Sequence, residues 1–229
     1  MTKASDSRAA ALLEVAAVVI VGILAHGELR SLKLGVGMTS LGTVAMLALA
    51  TLLLVRRGIH WPDLGFRRPE HLGHAVGWSL GLFLVDMLVL PVMVDTLSNA
   101  VGLPPQQLGA FATLEGNTFE YLVLLLPVSW GIAAFGEELL YRGFVFQRLT
   151  DAIGQTSWAL TFALPGQAVL FAIGHAYLGP RGMLNAGALG LVAGIVYLRN
   201  GRNLWPLIIA HGLVDTVGMT ALYLGLAQH

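Results

Sequence analysis

The stretch FGEELLYRGFVFQRL, residues 135–149, sets two adjacent carboxylates and an arginine into an otherwise apolar run. Glu138 and Arg142 stand four residues apart, on one helix face and in the favourable order for an ion pair. Arginine stays charged, so wherever water is scarce it needs such a partner. Glu137 lies about 100° further round a helix and cannot share that face. A partly desolvated carboxylate in that position suits a general base near neutral pH. Two more pairs recur at the same spacing: Phe171 with His175 in FAIGH, and His211 with Asp215 in HGLVD. Each has a plainer reading: an interfacial carboxylate in water, a hydrogen-bonded histidine at a helix end, and a buried polar pair gluing two helices. Together, in one half of the chain, they point to a shared polar site.

The elements that must position these groups are membrane helices. The chain has 229 residues, 56% hydrophobic and 11% charged, against roughly 25% charged in a soluble domain. Net charge is zero and no basic block reads as nucleic-acid binding. There is no cysteine, which excludes disulfides, cysteine nucleophiles and thiolate metal sites. Apolar runs predict helices over 9–28, 34–55, 74–97, 118–149, 156–178, 182–199 and 204–227. The expected fold is an all-α polytopic membrane bundle of seven transmembrane helices, or eight if the long fourth run breaks near Gly131–Gly136. The first run follows Lys3 and Arg8 as a signal peptide would, but contains Glu14 and shows no small-residue cleavage site before His26, so it reads as a retained span.

Loop charge sets an orientation. The 56–73 loop holds Arg56, Arg57, Arg67 and Arg68, whereas the 98–117 loop holds no Lys or Arg. The positive-inside rule makes the first cytoplasmic and places the N-terminus inside, in the cell membrane. Ten of the thirteen basic residues then fall inside; Arg30, Lys33 and Arg181 fall outside. GWSLG (77–81) and GLVAG (190–194) both fit GxxxG, a spacing that lets helix backbones approach, and helix packing is the expected use of both. Counted from an inner turn at 150–155, Glu137 lies about 20 Å up its helix and His175 about 30 Å. The two depths meet if the fourth helix protrudes inward, or if Pro165 or Gly166 kinks the fifth.

The motifs EELLYR (137–142), FAIGH (171–175) and HGLVD (211–215) resemble, in order and gaps, EExxxR, FxxxH and HxxxN/D of the CAAX protease and bacteriocin-processing (CPBP) family of intramembrane proteases. The resemblance covers residues 118–220, with LGFRRP (64–69) as a weaker feature. It implies a catalytic region over 118–229 preceded by an N-terminal transmembrane region over 1–117, in one integral membrane domain. It implies peptide-bond hydrolysis by a water that Glu137 activates, His175 helping to hold that water, His211 and Asp215 on the oxyanion side, and Glu138, Arg142 and Phe171 in structural support. The implied substrates are peptides or prenylated proteins with CaaX tails, met in the lipid bilayer. Many members carry Asn where this chain has Asp215. An ionised carboxylate cannot donate to an oxyanion, so Asp215 is better suited to orienting His211 or ligating a metal. The family is often called a metalloprotease family, and His175 and His211 are the candidate ligands for Zn2+ if a metal is used at all. HExxH is absent.

Other chemistries fit less well. Ser79 in GWSLG matches GxSxG, but that nucleophile needs a strand–turn–helix elbow and the surroundings read as helix. Asp86 and Asp215 could form an aspartyl pair, yet neither has the flanking residues of that class, and Asp86 reads better as the partner of a buried arginine or polar group. A small-molecule transporter would show paired repeats, and none is evident. A non-catalytic family member that binds a partner would keep the same motifs.

Overall fold

The computed structural model describes residues 2–31, 40–154, 156 and 158–226. Among them are seven main helices and no strand: α1 (Thr2–Ser31), α2 (Leu41–Arg56), α3 (Leu72–Ala100), α4 (Thr118–Ile153), α5 (Trp158–Gly174), α6 (Gly179–Arg199) and α7 (Trp205–Tyr223). Five are long and apolar enough to cross a membrane: α1 through Ser7–Ala25, α3, α4, α6 and α7. The apolar helices α2 and α5 are shorter, at 16 and 17 residues. Large apolar side chains such as Leu13, Leu88, Val92 and Phe162 point outward. In water they would form a liability; in lipid they are the expected surface. The protein is a polytopic helical membrane protein.

The fourth helix does not break at Gly131–Gly136. It runs continuously, but its hydrogen bonds shift to the wide i→i+5 pattern over Leu124–Val145 before returning to α geometry. The shift begins just ahead of Pro127, which has no N–H to donate. Wide turns of this kind often occur at functional sites, and here they span the EELLYR motif. A shorter wide turn, Val85–Val89, interrupts α3 around Asp86.

The fifth helix ends earlier than its sequence pattern suggests. It stops at Gly174, so His175 lies just beyond the helix, ahead of a short 3₁₀ turn at Ala176–Leu178. The start of the second helix, expected at 34, lies in part outside the described residues. The expected difference in depth between Glu137 and His175 closes through register. Leu149, four residues before the end of α4, packs at Gly166, eight residues into α5. At 1.5 Å per residue α5 therefore starts about 6 Å lower than α4 ends, so it is the fifth helix, not the fourth, that protrudes.

Packing between α5 and α6 uses the small stripe Ala186, Gly190 and Gly194. A Cβ on Gly190 would stand 3.3 Å from Ala168 Cα, and one on Gly194 would stand 2.5 Å from Leu164 Cδ1. Gln167, fully buried, donates through Nε2 to the Gly190 carbonyl at 2.8 Å. The other GxxxG behaves differently. Cβ atoms on Gly77 and Gly81 would meet nothing within 4 Å, so these two glycines make no close helix contact. Its serine is no nucleophile elbow either: Ser79 is buried on a helix and its hydroxyl donates to the Ala75 carbonyl at 2.8 Å.

The LGFRRP segment pins the start of α7. Gly65 adopts φ 96, a left-handed conformation, and the Arg202 carbonyl lies where a Cβ would project, so only glycine fits. The Gly65 carbonyl accepts from Leu204 N–H at 3.0 Å, and the Arg67 carbonyl accepts from Asn203 Nδ2 at 3.0 Å. Tyr197 Oη donates to the Leu64 carbonyl at 2.9 Å. Charge is segregated along the bundle. Arg57 and Arg148 meet at Glu14, and Arg202 lies over Phe146, all at one end. Arg181 pairs with Asp95 and Asn99 at the other, 18 residues of α6 away from Arg199.

Candidate active site

The site is assembled around Glu138. Its Oε1 accepts from Arg142 Nη1 at 2.8 Å, as the i,i+4 spacing predicts, and also from His211 Nδ1 at 2.9 Å. One carboxylate oxygen thus joins α4 to α7. Glu138 is 1% exposed and Arg142 0%. The Arg142 guanidinium carbon stands 4.5 Å from the centroid of the Phe171 ring, so the arginine also rests on α5 through a cation–π contact. Phe171 thus gives the buried guanidinium a contact on α5 in addition to Glu138.

His175 is held by the same residue. Its Nδ1–H donates to the Phe171 carbonyl at 2.9 Å, because a carbonyl oxygen can only accept. That bond leaves Nε2 as the open ring nitrogen. The ring lies 4.5 Å from Phe171 and stacks at 6.1 Å on Tyr177. Tyr141 meets Phe171 edge-on at 5.0 Å, and its hydroxyl sits against Gly174, where a Cβ would come within 3.0 Å. The motifs on α4 and α5 are thus locked together by ring contacts.

His211 is oriented from the Nδ1 side by Glu138, not by Asp215. Its Nε2 lies 3.8 Å from Asp215 Oδ1, an ion-pair separation too long for a hydrogen bond. Asp215 instead has Ser129 of α4 within hydrogen-bonding reach. Glu137 is half-buried and one step round the helix from the Glu138 face. It lies close enough to interact electrostatically with Tyr141, Tyr177, His211 and Asp215. The structure therefore gathers residues of all three motifs into one region, with Glu138, Arg142 and His211 in direct contact and His175 attached through Phe171.

The donor set does not build a metal centre. A catalytic zinc takes three protein ligands and a water. Among the described residues no three His, Asp or Glu side chains are grouped to hold one ion. His175 and His211 each have Nδ1 engaged, as metal-bound histidines do, but they lack the third ligand. The metal role read for His175 and His211 is not supported.

Three participants were not singled out for this site from the sequence. Trp130 packs flat against Gly212, where a Cβ would stand 2.5 Å from ring carbons, and its Nε1–H donates to Thr216 Oγ1 at 3.1 Å. It straps α7 to α4 beside His211. Ser129 precedes it and is buried. Asp86, 5% exposed, faces the cluster from the wide turn of α3, within electrostatic range of His211, Glu138 and Arg142. A lone acid in an apolar run was the available signal for Asp86. Trp130 carried none, because its role depends on which glycine lies opposite.

Residues 119–217 match the family model described as Type II CAAX prenyl endopeptidase Rce1-like, a stretch that contains all three motifs. No curated protein and no solved structure matches the chain significantly.

Proposed function

We infer, from the match of residues 119–217 to the model of Rce1-like type II CAAX prenyl endopeptidases, that this chain is an intramembrane endopeptidase with Glu137 as its base. The observation that carries this reading is the double use of Glu138 Oε1 by Arg142 and His211, at 2.8 and 2.9 Å. An ion pair that served stability alone would not need an imidazole from another helix. Fixing His211 at Nδ1 aims its Nε2 away from Glu138, toward the space beside Asp215 and Glu137.

In the proposed reaction Glu137 takes a proton from water as the water oxygen bonds to the scissile carbonyl carbon. The carbonyl electrons move to oxygen, and a proton on His211 Nε2 stabilises that oxyanion. The C–N bond then breaks, and the proton held by Glu137 passes to the leaving amine. His175, with Nδ1 tied to the Phe171 carbonyl, presents Nε2 to position the water. Asp215 sets the field around His211 and donates nothing itself. Substrates are membrane-associated peptides or prenylated protein tails. The basic end of the bundle, with the N-terminus, lies on the cytoplasmic side of the cell membrane. The catalytic unit is residues 118–229, and 1–117 supplies the surrounding helices.

The test uses the purified protein in detergent, with a prenylated CaaX peptide and an unprenylated quenched peptide. Cleavage of either that vanishes in Glu137→Gln, with an unchanged melting temperature, supports the assignment. Full activity of Glu137→Gln removes Glu137 from the role of base.

A further inference from the structure

A cavity of about 260 Å³ opens at the basic end of the bundle. It is lined by Arg67, Arg68, His71, His74, Trp78 and Arg199, with Glu70 as its one acid, and shares no lining residue with the cluster around Glu138. Its rim is prebuilt. Arg67 Nη2 donates to the Gly201 carbonyl at 3.1 Å, and Asn200 and Asn203 brace the same loop through paired bonds of 2.9 Å. Arg68 and Arg199 form no hydrogen bond or ion pair among the described residues, so two exposed guanidinium groups flank a polar hollow without a direct partner.

The helix that rises from this cavity is α3, and it is shaped for a chain. Cβ atoms on Gly73, Gly77 and Gly81 would each meet nothing within 4 Å, leaving a furrow along the helix surface. Beside it runs an outward stripe of Leu72, Val76, Leu80, Leu84 and Leu88, from 75% exposed at its foot to 65% at its top. Over 16 residues that stripe is about 24 Å long, enough to follow an acyl chain through one leaflet of a core about 30 Å thick. The outward glycines of GWSLG thus have a use.

We propose that this cavity and furrow form a binding site for an anionic phospholipid, the phosphate headgroup held by Arg68 and Arg199 and an acyl chain laid along Gly73, Gly77 and Gly81. Basic pockets between membrane helices select anionic headgroups by charge, and planar guanidinium groups match phosphate oxygens. The exposed Trp78 stands where head and chain join, at the depth favoured by interfacial aromatic rings. The site does not depend on the endopeptidase reading.

The test places the full chain in phosphatidylcholine nanodiscs containing a minor fraction of phosphatidylglycerol, with brominated acyl chains on one lipid or the other. Bromine on phosphatidylglycerol is expected to quench tryptophan fluorescence more than bromine on an equal fraction of phosphatidylcholine, and Trp78→Phe is expected to remove the excess. Arg68→Gln and Arg199→Gln are each expected to weaken the anionic preference about fivefold, at unchanged melting temperature in pure phosphatidylcholine, and added salt to weaken it further. Equal quenching by the two lipids, or quenching indifferent to both substitutions, overturns the proposal. So does displacement of the lipid by inorganic phosphate, which would make this a free-anion site. Displacement by a prenylated peptide acid but not by its amide also overturns it, and would assign the cavity to substrate.

Discussion

Two glutamates in this protein each bridge two basic side chains, in opposite settings. Glu14 on α1 meets Arg57 at 2.6 Å and Arg148 at 2.8 Å, and Arg148 reaches on to Asp151 at 2.6 Å. This group sits at the basic rim, where Arg57 is 31% and Asp151 28% exposed. Glu138 joins Arg142 and His211 with almost no exposure, and its Oε2, like Arg142 Nε and Nη2, has no hydrogen-bond partner among the described residues. At the rim, water can take a lost partner's place beside Arg57 and Asp151, while Arg148, 5% exposed, keeps either Glu14 or Asp151. The buried network has no such substitute, because removing one partner strands a charge in a dry interior. The rim group also keeps unmet hydrogen-bonding atoms, Glu14 Oε2 and Arg148 Nε, so the depth of burial, and not the number of bonds made, separates the two networks.

Four substitutions would break or sharpen that contrast. The largest effect is expected at the neighbour of the buried bridge. Glu137→Gln should lower the cleavage rate by about 10²- to 10⁴-fold while thermal melting stays at the parent value, separating chemical from structural glutamate. A matching loss of melting temperature would erase the distinction between Glu137 and Glu138. Arg142→Ala should cost about 3–5 kcal/mol, since it leaves Glu138 buried with only His211; unfolding in detergent would read this out, and a change under about 1 kcal/mol would mean the buried bridge is no more critical than the rim. Gly212→Val should cost about 1–3 kcal/mol by overpacking against Trp130, with Trp130→Ala expected to restore folding in the double variant. If the double variant is as unstable as the single one, Trp130 is not the obstacle. Glu14→Ala should be mildest, about 1 kcal/mol, because the buried Arg148 keeps Asp151 as a partner, and more weakly felt at high salt. Salt-independent collapse of this variant would place the rim network on a par with the buried one.

The sequence announced the helical membrane class through its apolar content and loop charges, and the three motifs through their i,i+4 spacing. Glu138 with Arg142 was legible because both lie on one helix, where geometry is local. The bond from His211 to Glu138 was not, since it joins residues 73 apart. The sequence pattern assigned His211 to Asp215, four residues on, whereas the fold turns its Nδ1 toward α4. The apolar pattern carries the fifth helix through His175, but the helix stops at Gly174, where the Tyr141 hydroxyl occupies the side-chain space. The two GxxxG motifs look alike as text. Only their neighbours separate the one that packs from the one that faces outward.

What the residues determined alone is which groups exist and which pairs share a helix face: an apolar chain with no cysteine, a carboxylate beside an ion pair, and two histidines at fixed spacings. Those properties follow from side-chain chemistry and a helical repeat of 3.6 residues. What only the tertiary structure decided is which helix each polar group meets, because partner choice depends on register, on the wide turns of α4, and on small residues such as Gly212 and Gly190 that set how closely backbones approach. In a membrane interior, where water does not solvate an unmatched group, that choice of partner fixes where charge can reside.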